Sequence, residues 1–321
     1  MIVQSPESAM PEPYRTYVRQ RNETISSVLG EVVKDNNVQL CPRAITSDEQ
    51  IFPIDNSYIY GVVVKELKDG YKSVLYSNNP NSIGIATSSL EEAKEYTEAQ
   101  IKRGNRVRIK DPRESDGRGQ YTVESTDELL SVFHEINKDS NFGCVLMPYL
   151  DRILHRISVG HIALGKIGEF TYLGREETVT HGSSEVYGGT TLGLFHSSSE
   201  VYKTQVERYF DIPPYLTDLG KKAILEYVKL SLRYGRVSVD VVEGVTDSGE
   251  IVRDVIDVTP RVGGTTPAET LSLAQIHTDQ EAVCYASSKL IYDPIVSPTT
   301  GVNFVDTDTL VINAQIHDVI K

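Results

Sequence analysis

An α+β fold is the expectation for this chain of 321 residues. Three observations carry it: period-two apolar runs that read as strands, apolar stripes at helical spacing that follow capping residues, and short glycine-bearing reversals that join strand to strand.

Taken in order, residues 1 to about 12 are polar and proline-bearing and read as a loose arm. A helix is expected from Tyr14 to Val33, where Val18, Ile25, Val28, Leu29, Val32 and Val33 make one stripe. Val38 to Leu40, Tyr58 to Val64 and Lys72 to Tyr76 read as strands, and Asn78 to Asn81 as a loop. Ser88 with Glu91 forms a capping box for a helix that Gly104 ends. Arg106 to Lys110 alternates as a strand, a loop of charge and glycine runs to Gln120, a strand reaches Val123, and Ser125 with Glu128 opens a helix to Asn137. Cys144 to Met147 is a buried strand, with Pro148 to Leu150 as a hinge. Ile157 to Leu164 and Glu169 to Leu173 read as a hairpin about Gly165 to Gly168.

From Glu176 to Phe195 the chain is rich in Gly, Ser and Thr, which reads as a working loop or lid. Thr217 begins a helix whose face includes Leu219, Ile224, Tyr227, Val228 and Ser231 and which Gly235 ends. Gly235 to Val241 and Ile251 to Val258 are strand patterns joined by a reversal at Asp247 to Gly249. Thr266-Pro267-Ala268-Glu269 is a capping box with proline at the first helical position.

The totals exclude several classes. With 39% hydrophobic and 24% charged residues the chain is globular and long enough for two or three subdomains. Thirty-two basic against forty-five acidic residues give a net charge of −13, so no nucleic-acid partner is expected. Three scattered cysteines with no CxxC point to a reducing compartment without structural zinc. No leader pattern and no run near the roughly 18 apolar residues of a span is found, so a soluble, cytoplasmic protein without a membrane partner is expected.

The chemistry concentrates where two strands end. If the strands at 235–241 and 251–258 pair as a hairpin, Asp240 and Asp257 stand side by side, as Mg²⁺ bound to nucleotide phosphates requires. Thr259 shares a face with Asp257, and Arg261 follows just beyond. Ser115, Gly117 and Gly119 lie between two strands, which is the wrong context for a P-loop or a dinucleotide fingerprint and the right one for a flap over phosphates that Lys110 would reach. The bland alternatives are a solvated hairpin turn and aspartates that cap turns.

With these residues in place, the stretch from about 58 to 275 resembles the ATP-grasp superfamily, and the LysAspProArg, GlyArgGlyGln and GluValTyrGlyGly segments are similar to a bacterial branch of it. The resemblance implies two α+β lobes enclosing ATP. It divides the chain into an N-terminal α/β region at 1–80, a small lobe at 81–147 and a large lobe at 148–321. It assigns Lys72 and Lys110 to phosphate contacts, Ser115, Gly117 and Gly119 to the flexible loop, and Met147, Tyr149 and Leu150 to the adenine hinge. Asp240, Asp257 and Thr259 become the Mg²⁺ site, and Arg261 and Lys110 the charge-stabilising pair. Thr259 stands where many members carry Asn, and both acids are Asp where Glu is usual. Lys72 also reads as a strand-edge guard against aggregation.

The implied activity joins a small carboxylate to an amine or similar nucleophile through an acyl phosphate, with ATP and Mg²⁺. Direct phosphotransfer to a small molecule, or nucleotide binding with a degenerate metal site, are the alternatives. His181, Glu185 and Tyr187 are candidate substrate contacts, and Arg152, Arg156 and Arg175 could each hold a carboxylate. An oligomer is compatible with the sequence.

Overall fold

A computed structural model describes residues 12, 14–33, 38–41, 45–46, 58–64, 82–112, 119–138, 143–182, 184–279 and 281–321. The expected strand at 72–76, the loop at 78–81, Lys72, Ser115 and Gly117 lie outside the described residues.

Helix α1 (Tyr14–Val33) forms as expected, and Ile25, Leu29, Val32 and Val33 bury its stripe. Strand β1 (Val38–Leu40) runs parallel to β3 (Tyr58–Tyr60), and β2 (Ile45–Thr46) runs parallel to β4 (Val62–Val64). The run expected as strand over 58–64, ending near Gly61 or shortly beyond, is therefore two strands serving different sheets. Gly61 divides them at φ +150, where a Cβ would lie 2.4 Å from the Cβ of Cys41, so only glycine permits the close approach.

A four-stranded antiparallel sheet follows, in the order β5 (Ile85–Thr87), β8 (Cys144–Pro148), β6 (Val107–Lys110), β7 (Gln120–Val123). Two helices, α2 (Leu90–Lys102) and α3 (Thr126–Asn137), close it over a core of Ala93, Val107, Ile109, Leu129, Phe133 and Leu146. Gly104, at φ +84, ends α2 as expected. The cap of α2 is Ser89 rather than Ser88: its hydroxyl accepts the Glu92 N–H at 3.3 Å. Ser125 caps α3 as expected, accepting from the Glu128 N–H at 3.2 Å.

The remaining chain builds an eight-stranded antiparallel sheet from β9 (Leu150–Ala163), β10 (Glu169–His181), β11 (Ser184–His196), β13 (Arg236–Thr246), β14 (Ile251–Thr259), β15 (Val283–Tyr292), β16 (Val302–Asp306) and β17 (Leu310–Ile320). Its order is β14-β13-β9-β10-β11-β15-β17-β16, while β12 (Ser231–Tyr234) pairs with β4 instead. Helices α4 (Glu200–Tyr209) and α5 (Pro214–Lys229) share one core with Val159, Val239, Val241 and Val258. Residues of α1 and of α6 (Thr266–Ile276) share the other with Phe170, Tyr172, Leu192 and Ala286. The class and the two α+β bodies match the expectation.

Further expectations fail in this sheet and its helices. The supposed lid at 176–195 is a hairpin, paired from Phe170↔His196 to His181↔Ser184. Its glycines serve close approach rather than mobility: a Cβ on Gly189, at φ +144, would lie 2.1 Å from the carbonyl oxygen of Ser288. The helix expected from Thr217 starts at Pro214, with Pro213 as its cap residue, and Ser231 has already left it for β12.

Candidate functional site

Register places the acids. Asp240 is the cross-strand partner of Asp257, and Ser158 of β9 is the partner of Asp240 on its other side. Period two keeps all three off the face that carries Val159, Val241 and Val258 toward α5. A register shift beside Asp240 leaves Ile256 as the extra residue of β14.

Glu176, from the segment read as a loop, is the third acid. Burial raises the Asp240 carboxyl well above the usual range, and the charges of Glu176 and Asp257 raise it further, against the pull of Arg156. Arg156 Nε lies 2.8 Å from Glu176 Oε2. Asp257 Oδ1 accepts the Val258 N–H at 2.8 Å. Of the three arginines considered as carboxylate holders, Arg156 is the one that lines this space.

The smaller sheet closes over these strands through several bonds. Lys110 Nζ donates to the carbonyl oxygen of Ile256 at 3.0 Å, one residue from Asp257. Arg106 grips both oxygens of Asp247, at 2.8 and 3.1 Å, and lies 4.1 Å from the ring centre of Tyr149. Asn105 Oδ1 accepts the Ser248 N–H at 2.8 Å, and Ser82 Oγ donates to Asp254 at 2.8 Å. Between the sheets lies a cavity of about 560 Å³ lined by Lys110, Met147, Tyr149 and Leu150 on one side and by Asp240, Asp257, Thr259 and Arg261 on the other. Gly119, at φ +61, closes the described end of the glycine-rich loop, and its carbonyl oxygen accepts the Asp111 N–H at 2.8 Å.

A buried pair holds the far end. Arg236, fully buried, donates from Nη1 to the carbonyl oxygens of Thr259 at 2.6 Å and Arg261 at 2.8 Å, and from Nε to Glu269 at 3.0 Å. Tyr60 donates its hydroxyl to the same carboxylate at 2.9 Å. Burial alone would raise Glu269, but the Arg236 charge and these bonds hold it below the usual range. The capping box expected at Thr266 is thus not formed. Glu269 turns to Arg236, Thr265 occupies the cap position, and Thr266 Oγ1 accepts the Gly263 N–H at 2.9 Å. No sequence spacing announces this pair.

The three substrate candidates separate. Tyr187 lines the cavity, its ring against Gly264, where a Cβ would come within 2.3 Å. His181 does not line it: the ring stacks 4.7 Å from that of Tyr292 near the hairpin tip. Glu185 sits opposite Thr180 on the same hairpin, and its side chain lies outside the described set.

The donor set suits Mg²⁺. Asp240, Asp257 and Thr259 offer only hard oxygens, and a dication would relieve the burial and the neighbouring negative charge that raise the Asp240 carboxyl. Among the described residues no three His, Cys, Asp or Glu side chains form a closed metal cage. Mg²⁺ commonly takes only one or two carboxylates and completes its shell with water and substrate phosphates.

No curated protein matches the sequence. Among solved structures, N5-carboxyaminoimidazole synthetase from Staphylococcus aureus is 15% identical, with a TM-score of 0.46 over 78% of this chain and 67% of its own. The biotin carboxylase domain of the Hydrogenobacter thermophilus 2-oxoglutarate carboxylase, solved with MgADP, ADP and bicarbonate, is 14% identical, with a TM-score of 0.48 over 83% and 65%. D-alanyl-alanine synthetase A from Vibrio cholerae is 13% identical, with a TM-score of 0.39 over 64% and 60%. The chain thus spans about two thirds or less of the length of these proteins. The family model described as a protein of unknown function, DUF3182, matches residues 77–312, and the chain belongs to that family.

Proposed function

We propose that the chain is an ATP-grasp ligase that joins a small carboxylate to an amine or similar nucleophile. The observation that carries this reading is the bond from Lys110 to the Ile256 carbonyl, which brings the base of the glycine-rich hairpin beside the paired Asp240 and Asp257.

Each residue has a task in this reading. Met147, Tyr149 and Leu150 would receive the adenine at the junction of the two sheets. Lys110, with Ser115, Gly117 and Gly119 of the loop and Lys72, would meet the phosphates. Asp240, Asp257 and Thr259 would hold Mg²⁺, which when bound offsets charge developing on the transferred phosphoryl group. Arg261 would offset the same charge from the side of the cavity that carries the aspartates. A substrate carboxylate oxygen bonds to the terminal phosphorus as the bond to ADP breaks. The amine nitrogen then bonds to the acyl carbon, phosphate departs, and the amine proton passes to solvent. The loop's closure would exclude water from the acyl phosphate. No protein nucleophile is required.

The experiment is ADP release from Mg-ATP against a panel of metabolite acids and amines. The ligase reading expects release only with an acid and an amine together. A stable phosphorylated acid formed without amine would instead establish phosphotransfer, and nucleotide binding without turnover across the panel would establish a binding protein. Asp257→Asn should abolish release while leaving the unfolding free energy within about 1 kcal/mol of wild type, as expected away from buried pairs.

A further inference from the structure

We propose that Arg156 and Ser158, two residues apart on one face of β9, receive the carboxylate of the acid substrate. This deepens the ligase reading and rests on it.

Ser158 carries the first observation. It is 1% exposed and lines the cavity, and its hydroxyl has no hydrogen-bond partner among the described residues. A buried hydroxyl left unpaired is costly, and one that faces a cavity has its partner supplied by what the cavity holds. Its strand neighbour is Asp240, so that partner would sit beside the paired aspartates.

Arg156 carries the second. Its Nε forms an ion pair with Glu176 at 2.8 Å, and its terminal nitrogens make no hydrogen bond with any described residue. A planar fork with free donors matches a carboxylate, and a hydroxyl nearby adds a further donor. The charge balance selects the ligand. Glu176, Asp240 and Asp257 all act on this guanidinium, so a monoanion is tolerated there better than a dianionic phosphate. The other two arginines lie elsewhere: Arg152 is exposed, and Arg175 donates to the carbonyl oxygen of Asp211 at 2.9 Å.

The test uses the full chain with acetate as the probe carboxylate and inorganic phosphate as the rival oxyanion. Acetate binding is read by saturation-transfer NMR, and Mg²⁺ with a non-hydrolysable ATP analogue by calorimetry. The acetate signal should fall at least fivefold in Arg156→Met and at least twofold in Ser158→Ala, with analogue affinity within twofold of wild type in both. Ser158→Ala removes a hydroxyl that holds nothing in the fold, so it stays informative if Arg156→Met does not fold. Wild type without an acetate signal, a signal unchanged in Ser158→Ala, or equal displacement by phosphate would each overturn the subsite. So would a parallel loss of analogue affinity, which would place both residues at the nucleotide. Acetate binding that responds to both variants in a chain that binds no ATP analogue would leave the subsite standing and remove the ligase reading.

Discussion

Arg236 and Glu269 expose no surface, yet they fix Thr259 and Arg261 through two backbone carbonyls. Removing one partner strands a buried charge, so Glu269→Gln should cost about 3–5 kcal/mol in urea denaturation; a loss under about 1 kcal/mol would show that the pair does not hold the strand end. Asp254 offers a pH test. Burial raises its carboxyl to about 6, against the hydrogen bonds that it accepts from Ser82, Val255 and Ile83. The folded chain therefore keeps this proton more tightly than the unfolded one. Its contribution is present at low pH and is lost as pH rises from the ordinary carboxylate range through about 6, a decline on the order of 3 kcal/mol. Unfolding free energies at a series of pH values should show that slope, flattened in Asp254→Asn. Asp240 and Asp257 were legible because strand period and a turn signal determine their register locally. Glu176 was not, because it becomes a neighbour of Asp240 only when β10 pairs with β9, and Ser158's unmet hydroxyl is a property of the packed cavity alone.

The 176–195 hairpin shows where composition misleads. Glycine density resembled mobility, but Gly174, Gly188 and Gly189 sit where neighbouring atoms leave no room for a side chain, while Thr178, Val179 and Thr180 still read as strand formers. Gly189→Ala should therefore destabilise the protein by at least about 2 kcal/mol, whereas Gly182→Ala, at φ +62 in open space, should cost only about 1 kcal/mol. Amide exchange gives an independent reading: the paired residues should exchange slowly, and exchange as fast as in an open loop would restore the lid. The strand end expected near Gly61 is the join of β3 and β4, while the approach of Cys41 that demands glycine there comes from the residue after β1.

At the scale of the molecule, the family match begins at residue 77, but the site does not. Val62 N–H donates to the Pro260 carbonyl at 2.9 Å, Val262 N–H to that of Cys41 at 2.8 Å, and Tyr60 reaches Glu269. A fragment starting at residue 77 should lose this brace on both flanks of Arg261, and is expected to melt earlier and to bind ATP analogues at least tenfold more weakly than the full chain. Equal affinity would free the N-terminal region from any part in the site. Hairpins were readable from the sequence, whereas the order β9-β10-β11-β15 depends on pairings across about a hundred residues, which no local pattern encodes. The Lys110 contact has one more outcome. In the proposed ligase the Ile256 oxygen would act as a stand-in for an incoming phosphate oxygen, with the ammonium already buried and aimed. On that reading nucleotide capture would exchange a carbonyl acceptor for a more negative one, and weakly charged visitors would have little with which to win the swap.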